Sequence, residues 1–141
     1  MGFRLNVEGP ESIHLGIENI LTVEFKTDTP DDSNARSTDL GTTLVLTGKI
    51  LTAVNGEPAD QTMRLAQWSL VPGERADCYR KVKVDVISAS QVVRQIELPN
   101  AFIVDYTEDY GDEEGIGTFY LHMKQKKDKT KEIKLEGGFA Q

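Results

Sequence analysis

Lys81-Val82-Lys83-Val84-Asp85-Val86-Ile87 and Val92-Val93-Arg94-Gln95-Ile96-Glu97-Leu98, joined by the polar link Ser88-Ala89-Ser90-Gln91, decide the fold. Successive side chains of a strand point to opposite faces, so apolar residues at every second position give one dry face and one wet face. Val82, Val84 and Val86 alternate in this way with Lys81, Lys83 and Asp85. The short polar link turns the chain straight back into another strand-like run, which reads as a β-hairpin.

The same period extends in both directions. Upstream, Phe3, Leu5 and Val7 alternate with Arg4, Asn6 and Glu8, and Leu21, Val23 and Phe25 alternate with Thr22, Glu24 and Lys26. Leu44, Leu46 and Ile50 face away from Thr43, Val45, Thr47 and Lys49, with Gly48 marking a bulge or a close backbone approach. Downstream, Pro99-Asn100 interrupts the pattern before it resumes over Ala101 to Tyr106. An acidic turn, a strand from Thr118 to Lys124 and an edge segment Glu132 to Glu136 follow. Many short strands separated by turns predict a sandwich or a barrel.

One segment departs from this pattern. Ala59 to Leu70 carries helix-forming residues after Asn55-Gly56-Glu57-Pro58 and is stopped by Pro72-Gly73. Met63, Ala66 and Leu70 share one helical face, with Leu65 and Trp68 roughly opposite. A helix apolar on two sides must be covered on both, either inside its own domain or by a neighbouring subunit. Thr27 to Leu40 contains Asp28, Pro30, Asp31, Asp32, Ser33, Asn34 and Arg36 without apolar periodicity, and predicts a long mobile loop at about 27–41.

The chain of 141 residues has the length of one domain, 1–141, and its 38% apolar and 28% charged content suits a folded soluble protein. A net charge of −7 argues against a surface that grips phosphates, so no specific nucleic-acid binding is expected. Cys78 is the only cysteine, which leaves no intramolecular disulfide and no thiolate cluster for zinc, and fits a reducing compartment. No stretch is apolar enough to span a bilayer, and Met1-Gly2-Phe3-Arg4-Leu5 alternates where a signal peptide would be continuously apolar. Synthesis and folding in the cytoplasm are expected, with export by a route that reads no amino-terminal signal left open. Position 6 is Asn, which breaks the myristoylation pattern.

Catalytic signatures are missing from the sequence. His14 and His122 are the only histidines, and no HExxH, GxSxG, Walker or GxGxxG pattern occurs. His122 alternates with Lys124 on a polar strand face, where a solvated side chain is the simpler reading than a general base. Asp105, Glu108, Asp109, Asp112, Glu113 and Glu114 could attract a hard cation, but Gly111, Gly115 and Gly117 make the segment read as a solvated turn. No cofactor or metal is expected. Lys124, Lys126, Lys127, Lys129, Lys131 and Lys134 form an opposing block, with Asp128 and Glu132 interspersed. The two blocks flank one strand and should lie roughly 30 Å apart by strand rise. A domain with an acidic end and a basic end can stack head to tail into rings or filaments.

The helix, Val82–Ile87, the segment Leu98-Pro99-Asn100-Ala101-Phe102-Ile103-Val104-Asp105-Tyr106 and the run Gly117 to Lys127 resemble the tube protein of type VI secretion systems, the hemolysin-coregulated protein family, and its phage tail-tube relatives. The order of elements is similar over about two thirds of the chain, and the first forty residues depart most from the family pattern. The resemblance implies a mainly β chain of two packed antiparallel sheets forming a barrel-like sandwich with one α-helix. It implies hexameric rings stacked into a hollow tube, with the long loop reaching a neighbouring subunit. On that basis the functional residues are interfaces: Asp31, Asp32 and Arg36 in the loop, Leu65 and Trp68 on the helix, Asp109, Asp112, Glu113 and Glu114 in the acidic turn, and Lys124, Lys126, Lys127 and Lys129 beyond the next strand. Partners would be further copies of the chain, together with sheath, baseplate or effector proteins of a contractile injection system. A monomeric β-barrel binding module is the alternative, and a small membrane-associated protease or other hydrolase a further one.

Overall fold

The computed structural model describes residues 1–28, 41–51, 60–112, 116–126 and 132–137. The alternating runs become strands β1 (Gly2–Glu8), β3 (Ile20–Asp28), β4 (Gly41–Ile50), β5 (Arg80–Ser88), β6 (Gln91–Asp109), β7 (Gly117–Gln125) and β8 (Lys134–Gly137), joined by a short strand β2 (Ile13–Leu15) that the alternation does not mark, a helix α1 (Thr62–Ser69) and a 3-10 turn at Ala76–Cys78. Every pairing is antiparallel, in the order β2-β1-β5-β6-β7-β4-β3, with β8 added beside β6.

The two layers expected from the sequence are two halves of one hydrogen-bonded sheet, which is sandwich-like and not closed into a barrel. β6 makes this possible. Its first part pairs with β5 as far as Ala101, and from Ala101 onward it pairs with β7. Pro99-Asn100 was expected to end a strand, yet β6 runs through it. Pro99 and Asn100 together lie opposite Lys81 alone, between the pairs Arg80↔Ala101 and Val82↔Leu98. A bulge leaves one residue outside the ladder, so proline's missing N–H costs little there. A second bulge at Val104, between Ile103↔Met123 and Asp105↔His122, adds to the bending of β6.

The core lies between the halves. Leu5, Val7, Val82, Val84, Ile96 and Leu98 belong to the same buried cluster as Leu44, Leu46, Leu121 and Met123. Gly48 is a close approach, as its place in the pattern suggested: a Cβ there would stand 2.3 Å from the Asn19 carbonyl oxygen and 2.5 Å from Phe119 Cε2. The bulge itself falls on the partner strand. Leu21 is the extra residue between Ile20↔Gly48 and Thr22↔Thr47, so Ile20 turns into the core and Leu21 turns out.

The helix begins at Thr62 instead of Ala59, and Ala59 lies outside the described residues. Asp60 sets this boundary. Its carboxylate accepts the Thr62 N–H (3.1 Å), the Thr62 hydroxyl, the Leu51 N–H (2.6 Å) and the Asn19 side-chain amide (2.7 Å), joining the end of β4 to the start of α1. α1 then packs against β2 and β6. Strand β3 reaches Asp28 and β4 starts at Gly41, with Thr27 paired to Thr42. The rest of the expected loop, including Asp31, Asp32 and Arg36, lies outside the described residues.

Candidate assembly surfaces

The β6–β7 hairpin carries the acidic block at its tip. Asp109 pairs in register with Thr118, and Asp109 and Asp112 are exposed. Among the described residues neither joins an ion pair, and Glu113 and Glu114 lie outside the described set. The hairpin end is stiffened by Glu108, whose carboxylate accepts the hydroxyls of Tyr106 (2.6 Å) and Tyr110 (2.7 Å). Burial, followed by this hydrogen bond, raises the Tyr106 pKa far above its ordinary range. Gly117 leaves room for the Tyr110 ring, since a Cβ would stand 2.5 Å from Tyr110 Cε1.

Lys124 is exposed near the other end of β7, and Lys126 follows with its ammonium 5.0 Å from the Tyr79 ring centroid. Tyr79 in turn packs edge-on against Phe102, with ring centroids 5.8 Å apart. Lys127 and Lys129 lie outside the described residues. The described acidic and basic residues therefore mark the two ends of a nine-residue strand, about 30 Å by its rise.

The helix corrects one expectation. Leu65 and Trp68 were assigned to a neighbour, but they are 0% and 2% exposed within this chain. They belong to its own core cluster, and the indole Nε1–H donates to the Cys78 carbonyl at 2.9 Å. The side left to solvent carries Met63 (67%) and Leu70 (81%). An eight-residue helix with apolar residues on both sides gives no sequence signal as to which side meets the sheet.

Arg80 was not singled out, although its position signalled it: it shares the inward phase of Val82 and Val84. It is 8% exposed, donates from Nε to the Asp77 carbonyl at 3.0 Å, and places its guanidinium carbon 5.2 Å from the Trp68 ring centroid. Burial lowers its pKa, with Asp77 acting in the opposite direction. Gln125 is the corresponding case on β7: it is 3% exposed and accepts the Asn100 N–H at 3.2 Å. Asp85, on the wet phase, is also buried, where it meets Arg4 Nη2 at 3.3 Å and Gln95 Nε2 at 2.9 Å.

The side chains with catalytic potential are structurally engaged. Cys78 is buried with its thiol directed at the Gly73 carbonyl (3.6 Å), and burial raises its pKa, which disfavours the nucleophilic thiolate. His122 Nδ1 lies 3.5 Å from Asp105 Oδ2 across the β6–β7 pair, while His14 Nδ1 meets Asn6 Oδ1 across β1 and β2. Among the described residues no three His, Cys, Asp or Glu side chains converge as metal ligands, and no helix is long and apolar enough to cross a membrane.

No family model matches this sequence, nor does any curated protein. Solved structures do match the fold. Hcp1 from Flavobacterium johnsoniae is similar with a TM-score of 0.60 at 17% identity, over 98% of this chain and 97% of that one. A chain of the six-fold symmetrised anti-feeding prophage baseplate gives a TM-score of 0.55 at 15% identity, covering 96% and 93%. A chain of the PVC sheath/tube terminator, from an extracellular contractile injection system, gives 0.52 at 12% identity, covering 96% and 94%. From end to end, this chain has the fold shared by Hcp1 and by subunits of these contractile-injection assemblies.

Proposed function

We propose that this protein is a non-catalytic structural subunit that assembles with copies of itself into rings, six to a layer, stacked as the inner tube of a contractile injection or phage-tail-like system. The observation that carries this reading is the extent of the fold match: nearly the whole chain aligns with nearly the whole of Hcp1. The six-fold symmetry of the anti-feeding prophage baseplate supports the ring order.

The polarity of the β6–β7 hairpin supports stacking. A contact between unlike ends is heterologous and propagates from copy to copy. The acidic turn of one copy (Asp109, Asp112, Glu113, Glu114) meets the basic end of the next (Lys124, Lys126, Lys127, Lys129). The loop bearing Asp31, Asp32 and Arg36 reaches a neighbouring subunit. Sheath, baseplate and effector proteins are the further partners, and the protein is made in the cytoplasm and leaves it as part of the tube.

Negative-stain electron microscopy together with light-scattering mass over a concentration series tests this reading. Rings with six subunits per layer, alone or stacked, are expected. A protein that stays monomeric at high concentration would overturn the reading in favour of a monomeric β-sandwich binding module.

A further inference from the structure

Beside α1 lies a cleft of ≈ 270 Å³ whose walls include Arg64, Gln67, Trp68, Asp77 and Arg80. Arg80 is more than nine-tenths buried, and only its Nε is spent, on the Asp77 carbonyl. Among the described residues Nη1 and Nη2 have no hydrogen-bond partner. Neither is sealed from solvent, because the only sealed side-chain polar atom without a partner among the described residues is Thr42 Oγ1. The carboxylates on the wall act on Arg80 through space but are not hydrogen-bonded to it, and each also pairs with another cation: the Asp77 carboxylate lies 3.2 Å from Arg75 Nε, and Glu11 3.6 Å from Arg64 Nε. The guanidinium carbon stands 5.2 Å from the Trp68 ring centroid, a cation–π contact that leaves both Nη atoms free of hydrogen bonds among the described residues.

We propose that this cleft is a carboxylate receptor for the acidic β6–β7 turn of a second copy, with Asp109 or Asp112 seated on the free guanidinium edge of Arg80. A planar guanidinium with two open nitrogens matches a carboxylate in a bidentate pair, and a desolvated cation gains most from such a partner. The turn offers what the cleft lacks: exposed carboxylates that pair with nothing among the described residues of their own copy. The placement is head to tail, since Arg80 pairs in register with Ala101, whereas Asp109 stands eight residues further along β6, about 25 Å by strand rise. The contact rests on the tube reading and places one carboxylate beside the basic end of β7, deeper than the lysines reach.

The test is sedimentation velocity on the full chain, with electron microscopy to separate single rings from stacks. Four proteins are compared: the natural chain, R80K, Q67E, and a neutralised turn (D109N, D112N, E113Q, E114Q). R80K keeps the charge and loses the fork, while Q67E sets a competing carboxylate in the cleft from an exposed helix position. The natural chain is expected to stack, and all three variants to arrest at single rings with stacking weakened by about tenfold or more. Should R80K fail to fold, Q67E and the turn variant decide, as Gln67, Asp109 and Asp112 are exposed. Stacking as in the natural chain by Q67E, by the turn variant or by folded R80K overturns the proposal. Natural single rings that never stack overturn it too and leave the ring reading intact, whereas a natural chain that stays monomeric overturns both.

Discussion

Trp68 and Tyr106 show how single side chains tie the helix and the hairpin tip to the sheet. Trp68 combines core burial, a hydrogen bond to the Cys78 carbonyl and a cation–π contact with Arg80. Trp68→Ala is expected to cost about 3–5 kcal/mol, measured as a fall in the urea midpoint, because it opens a cavity and unseats Arg80. A variant that folds with natural stability but fails to assemble would restore the interface role that burial denies it. Tyr106 makes a pH-dependent contribution. Burial and the Glu108 hydrogen bond hold its proton in the folded state well past the point at which the unfolded phenol ionises. Because the folded pKa is raised, the contribution is complete below about pH 10 and declines as pH rises further. Tyr106→Phe should therefore make the alkaline loss of stability shallower in urea titrations between about pH 9 and 11.5. Identical slopes for the two proteins would show that folding does not raise the Tyr106 pKa.

At the scale of elements, the β5–β6 hairpin and the bends of β6 set the architecture. Ala89 (φ 51°) and Ser90 (φ 65°) both occupy the left-handed region, the conformation that a two-residue turn needs to follow strand twist. Neither residue favours it. Ala89→Asn with Ser90→Gly should raise stability by about 1 kcal/mol, seen as a higher urea midpoint at unchanged m-value. No gain would mean that the turn is relaxed as it stands. Beyond the turn, β8 adds to β6 for only four residues, Lys134 to Gly137, and leaves Leu135 half exposed opposite Ile96. The bulges at Pro99-Asn100 and Val104 let one continuous strand serve both halves of the sandwich.

At the scale of the whole molecule, the central pairings join distant segments: β1 lies beside β5, and β4 beside β7. The β1–β5–β6–β8 half meets water with a ladder of opposite charges, in which Lys81 bridges Glu8 (3.5 Å) and Glu97 (3.7 Å), and Lys134 approaches Glu97 at 3.8 Å. Such exposed pairs contribute little individually but leave that face locally balanced. Asp109 and Asp112, which join no ion pair among the described residues, stand elsewhere, at the β6–β7 tip, so the −7 charge has a polarity along the hairpin as well as a magnitude. Stacking, as proposed above, would draw on that polarity.

Alternation marked most of the strands, because a half-buried strand imposes a two-residue period that Leu44–Ile50 and Phe119–Met123 keep throughout and that the strand from Val82 keeps until the buried Asp85. The resemblance carried by Leu98 to Tyr106 and Gly117 to Lys127 pointed to the right fold. Tertiary structure alone decided which side of α1 is buried, whether Pro99 ends a strand, and what becomes of Arg80. Each outcome depends on what lies across the chain: Cys78 and Arg80 around Trp68, Lys81 opposite the Pro99 bulge, and a cleft wall assembled from α1 and the residues preceding β5. Periodicity reports that a residue turns inward; only the packed neighbours determine whether it meets a hydrocarbon surface, a carbonyl or an unfilled cleft.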